Sequence, residues 1–145
     1  MIASVAYLID AAIGTWYAIA NDIPGRPLGI QTGLPVALDF TVGLGSGLSA
    51  PLLMLIALGF LAVSVVRRGG RRSILWIGLL GWCFLVGMLI EPILGEAMDG
   101  QHEPFVVGII VANVILPIMM IGMAIASARQ AREGSTRQAV GVGDA

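Results

Sequence analysis

Asp10 and Asn113 have the most unusual setting in the chain: each interrupts a long apolar run that carries no Lys, Arg or His. A carboxyl so placed must be protonated, hydrogen-bonded to an amide or hydroxyl, or faced with water or a cation. Two chemistries fit. One is a relay for protons or cations. The other is a neutral Asp–Asn hydrogen bond that ties two helices together, worth about 0.6 kcal/mol on average inside a membrane.

Asp39 and Glu91 form a second acidic pair, one beside the glycines at 43, 45 and 47 and the other beside Pro92. They suit the acidic mouth of a cation pathway or ordinary carboxylates at helix ends. As a lesser alternative they are the two acids of an intramembrane hydrolase. Glu96, Asp99, His102 and Glu103 crowd oxygen and nitrogen ligands into eight positions, which admits a divalent metal. Their spacing matches no metal motif, and Gly100 loosens the segment, so a solvated loop is the expectation. No Gly-x-Ser-x-Gly, His-Glu-x-x-His or phosphate-loop pattern is present. The sequence therefore assigns no catalytic residue and no cofactor. Cys83, the only cysteine, reads as a small core hydrophobe.

The elements that must position these residues are apolar throughout. Of the 145 residues 57% are hydrophobic and 12% charged, half the charge of a soluble domain at about 25%. Mean hydropathy is +0.93. A soluble fold of this size cannot hide that much apolar surface, so the chain reads as an all-α integral membrane protein. The net charge of −1 leaves no basic face for nucleic acid.

Four apolar segments follow in order. The first, about 2–20, contains Asp10. A central Asp costs about 2.5–3.5 kcal/mol on insertion scales, which the Ile, Val and Leu residues of the segment roughly cancel. Ala18-Ile19-Ala20 resembles a signal-peptide cleavage site, but no basic residue precedes the run. Residues 21–34 are rich in Pro and Gly and form a loop. The 27 uncharged residues from Phe40 to Val66 would span about 40 Å as one helix, too long for a hydrocarbon layer of about 30 Å. The regular helix is expected over about 47–66, after an irregular, re-entrant or interfacial Gly-rich stretch at 35–46. The third helix is expected over about 73–92 with Ser73 as its cap. The fourth is expected over about 104–128 with a kink at Pro117, completing a transmembrane domain over 1–128. A disordered cytoplasmic tail is expected over 129–145.

Threading follows from arginine. Arg67, Arg68, Arg71 and Arg72 sit in six positions between the second and third segments, and Arg129, Arg132 and Arg137 follow the fourth. By the positive-inside rule that connection and the C-terminus are cytoplasmic. The expected architecture is an up-down four-helix bundle in the plasma membrane with both termini cytoplasmic. Asp10 and Asn113 each lie about 14 Å into their helices, near the midplane. Small-x-x-x-small pairs such as Gly14/Ala18, Gly43/Gly47 and Gly122/Ala126 mark close helix contacts.

The functional expectation is a non-enzymatic membrane subunit that assembles in the lipid bilayer with copies of itself or with a membrane-protein partner. The alternative is a small homo-oligomeric channel or a proton- or cation-coupled transporter using Asp10, Asp39 and Glu91.

Overall fold

A computed structural model describes residues 2–30, 32–43, 45–100 and 103–141, with side chains described through position 133. The chain is all-helical: α1 (Ile2–Ala20), a 3-10 turn (Pro27–Gly29), α2 (Val36–Val42), α3 (Leu52–Arg68), α4 (Arg71–Leu89), α5 (Pro92–Met98) and α6 (Pro104–Gly141). Among the described residues the only strand-like pairings are isolated bridges, Pro24 with Ser46 and Ser46 with Ser49.

Helix α1 shows how the elements are sided. Ala3, Tyr7, Ala11, Gly14 and Ala18 recur at three- and four-residue spacing and are buried. Ile2, Ile9 and Trp16 point outward, Ile2 84% exposed. The outward faces of α3, α4 and α6 carry Phe60, Trp76, Trp82 and Ile118 in the same way. Large apolar side chains on the outside and small ones at helix contacts are the arrangement lipid requires. Helices α1, α4 and the Pro104–Glu133 part of α6 are each long and apolar enough to cross a membrane. The protein is an all-helical membrane protein.

Helices α1, α3, α4 and α6 close a ring. Helix α6 packs on α4 and α1, and α3 packs on the other sides of the same two helices. The tightest seam is α4 on α6. A Cβ on Gly78 would overlap the Ala124 methyl, and one on Gly81 would lie 3.0 Å from the Pro117 carbonyl. With these two glycines the backbones approach closely, and dispersion over the contact holds the helices together.

The Arg-rich connection is a tight hairpin. Arg67 and Arg68 end α3, Gly69 takes a left-handed conformation (φ 57°), and Arg71 starts α4. Arginines suit the C-terminal end of α3 but oppose the dipole at the start of α4. Their presence at the start of α4 is therefore not explained by helix stability.

Four boundaries differ from expectation. Helix α3 starts at Leu52, not near 47, because Gly45 sits at φ 103° and the Ser46 and Ser49 backbones hydrogen-bond each other reciprocally at 3.0 and 3.2 Å. Ser73 lies within the first turn of α4, which Gly70 precedes as cap, and its hydroxyl donates to Ser64 of α3 at 3.1 Å. Pro92 opens the short helix α5 where a loop is expected, since proline is pre-organised for a first turn. Helix α6 continues past Ala128 to Gly141, through most of the expected disordered tail over 129–145. Arg129, Gln130, Ala131, Arg132 and Glu133 are all good helix formers.

Candidate membrane-embedded site

The site is built where backbone leaves helical form. After α2, residues 45–49 are buried. Gly14 of α1 makes the space: a Cβ there would lie 2.6 Å from the Leu48 carbonyl oxygen and 3.3 Å from Ile109 of α6. Gly14 lies about 9 Å along α1 from Ala20 at 1.5 Å per residue. The segment thus runs between helices at the level of their apolar sides. A carbonyl so placed must be satisfied by protein, and Asn113 satisfies it.

Asn113 is 3% exposed. Its Nδ2 donates to the Asp10 carboxylate at 2.9 Å, to the Leu48 carbonyl at 3.2 Å and to the Ile109 carbonyl one turn back at 3.1 Å. One amide group therefore joins α1, the irregular segment and α6. The structure brings together Asp10 and Asn113, which stand 103 positions apart in sequence.

Asn113 also lines a cavity of about 240 Å³. Glu91 lines one end of it, just beyond the last turn of α4. Ser46 and Ser49 form one wall. Away from Glu91, Tyr7 stacks on Phe84, with ring centroids 4.5 Å apart and planes at 20°. Beyond them Ala3, Leu55, Leu58, Ile77 and Met120 form a solid apolar cluster. The Glu91 end is covered by the 21–30 loop. The Arg26 backbone N–H donates to both Glu91 carboxylate oxygens at 3.0 and 3.2 Å, and the Leu28 N–H donates to the Ile90 carbonyl at 3.0 Å. Glu91 also lines a polar depression outside the roof, with Asp22, Arg26 and Glu96.

Burial pushes the Glu91 carboxyl above its usual range, the Arg26 N–H and charge hold it back, and the Asp39 charge adds a smaller upward push. A carboxyl raised by the fold costs stability as pH rises from its unfolded value through its folded one, because the fold favours the neutral form.

Asp39 and Glu91 differ in their surroundings. Asp39 is 1% exposed and does not line the cavity that Glu91 lines. Its carboxylate packs over Gly43, where a Cβ would overlap it. Among the described residues no three ligating side chains gather to hold a metal ion. Glu96, Asp99 and Glu103 are described without such a cluster, and His102 lies outside the described residues. The Gly14/Ala18 pair is buried in the helix contact, whereas Gly122 has open space around it. Sequence reasoning missed the Leu48 carbonyl, Tyr7, Ser46 and Ser49 as members of the site. The signal that would have pointed to the first is Gly14, a glycine on the buried face of an otherwise regular helix.

No family model matches the chain, and comparisons with curated proteins and with solved structures find no match.

Proposed function

We propose that the protein is a proton- or cation-coupled carrier in the plasma membrane. In this reading α1, α3, α4 and α6 are four spans, both termini are cytoplasmic, and the segment between α2 and α3 is re-entrant from the outer side. The observation that carries it is that Glu91 and Asn113 line one cavity, with Asn113 bonded to Asp10. In this reading the route runs from the depression at Asp22 and Glu96, past Glu91 once the Arg26 hydrogen bonds to its carboxylate release, through the cavity and on to the midplane carboxyl. The solid inner half around Tyr7, Phe84 and Leu58 favours a carrier closed on the cytoplasmic side over an open channel. Asp10 takes the part of the coupling group, since an intramembrane carboxyl bonded to a neutral amide can exchange a proton with the water or cation that reaches it.

Purified protein in liposomes should carry protons or small cations above empty controls. Asp10→Asn keeps a hydrogen-bonding group but removes the titratable one, and flux should fall to the level of empty liposomes. Unchanged flux in Asp10→Asn would remove Asp10 from the mechanism. The competing reading is the assembly subunit, in which the Asp10–Asn113 bond only ties α1 to α6. Native mass spectrometry in mild detergent would support it by finding a second polypeptide at fixed ratio. For the threading, a reporter fused after Ala145 should behave as cytoplasmic, and an external signal would invert it.

A further inference from the structure

We propose that the arginine-bearing end of the bundle, where α3, α4 and α6 lie side by side, binds the phosphate headgroup of an anionic phospholipid. The inference goes beyond the carrier reading and does not depend on it.

The fold gathers charge that the sequence keeps apart. Arg67 and Arg68 end α3, and Arg71 and Arg72 open α4. Arg129 and Arg132 come much later, on α6. Helix α4 packs on both α3 and α6. Its contact with α6 is antiparallel, since Gly81 meets Pro117 and Met120, and Gly78 meets Ala124. Seven residues back from Gly78 stands Arg71, and seven beyond Ala124 is position 131, with Arg129 and Arg132 on either side. Six arginines from three adjacent helices therefore share one end, and all six are exposed.

Little on the protein answers that charge. No Asp or Glu occurs from position 40 to 90 or from 104 to 132. Among the described residues the nearest carboxylate along these three helices is Glu133. Asp22, Glu91, Glu96, Asp99 and Glu103 belong to the connections at the opposite end. Arg71 and Arg72 stand besides where the α4 dipole disfavours a cation. An anion brought to this end offsets both the mutual repulsion and the dipole. Guanidinium groups favour phosphate, whose oxygens match their planar fork of N–H donors.

The surface next to the arginines says which phosphate. Val66, Leu75 and Trp76 are exposed apolar side chains directly below them. Trp76 lies five residues from Arg71, about 7.5 Å along α4, the depth at which an indole sits at the headgroup boundary. A phospholipid lays its acyl chains on the apolar part and its phosphate on the arginines. Free phosphate gains nothing from the apolar part. Phosphatidylcholine brings a cation of its own, which the arginines repel, so the fit is to a lipid with net negative charge.

The test uses purified, folded protein in a neutral detergent, so that threading is not what is read. In native mass spectra it should bind phosphatidylglycerol at lower concentration than phosphatidylcholine of the same acyl chains. Each arginine near an anionic headgroup is worth about fivefold. Arg129→Gln combined with Arg132→Gln should therefore weaken phosphatidylglycerol binding about twenty-five-fold. The Lys pair at the same positions keeps the charge and should bind nearly as the parent does. Arg26→Gln, at the opposite end, should bind as the parent. Excess inorganic phosphate should leave the lipid in place.

Equal affinity for the two lipids would overturn the proposal, as would parental affinity in the Gln pair or an equal loss in Arg26→Gln. Displacement by inorganic phosphate would make the end a site for free anions and overturn it too. If the Gln pair does not fold, Arg129→Gln alone decides, with about a fivefold loss expected and no loss overturning the assignment.

Discussion

Gly78→Leu is expected to drive α4 off α6 and to destabilise the protein by about 3 kcal/mol, the upper part of the range for overpacking a well-fitted interface. A Cβ alone would overlap Ala124, and the rest of a leucine has no lower-energy place to go. The backbones on either side are held by Gly81 against the Pro117 carbonyl and by the buried Ile77 and Met120 side chains. The contact cannot open at Gly78 without opening there as well. Unfolding in mild detergent by heat or by titrated sodium dodecyl sulfate would read the loss. Gly122→Leu is the matched control, since nothing lies within 4 Å of the Cβ position there, and it should unfold with the parent protein. Equal loss in both variants would mean that the seam at Gly78 has no special standing.

Asn113→Leu should cost about 3 kcal/mol by a different route. The substitution conserves approximate volume but removes the donor shared by Asp10, Leu48 and Ile109. The Ile109 carbonyl retains its place in the helix. The Leu48 carbonyl and the Asp10 carboxyl lose their donor in a setting without bulk water. Each buried acceptor left unpaired costs about 1–3 kcal/mol. Adding Asp10→Leu to Asn113→Leu removes one of the two orphans. The double variant should therefore be more stable than the sum of the single losses predicts, with a coupling of about 1 kcal/mol. Strict additivity would show that the hydrogen bond between α1 and α6 contributes nothing.

The apolar runs were legible because helices in lipid must satisfy their own backbone and present apolar side chains outward. That rule set the existence of α1, α4 and α6, and the Arg67–Arg72 cluster marked the turn between α3 and α4. Asp10 and Asn113 stood out because a polar residue in an apolar run has no local explanation. What sequence reasoning could not read was non-local. Nothing near Leu48 says that its carbonyl meets an amide 65 positions away. Glu91 looks like a helix-end carboxylate until the Arg26 backbone folds over it. Asp39 looks like its equal, but α2 turns it inward beside Gly43, away from the cavity. The seam at Gly78 and Gly81 was obscured by abundance. In a chain with 20 glycines, spacing alone cannot distinguish those that face another helix from those, like Gly122, that face outward.

The bond between Asn113 and the Leu48 carbonyl also orders the birth of the protein. Chains are made and inserted from the N-terminus, and domains form in that order. The segment at 45–49 is delivered long before Asn113 exists. Until α6 arrives, the Leu48 carbonyl lacks the amide that satisfies it at depth, and the segment has reason to stay at the wet surface. The bond that joins the 45–49 segment to α6 therefore forms only after α6 has been made.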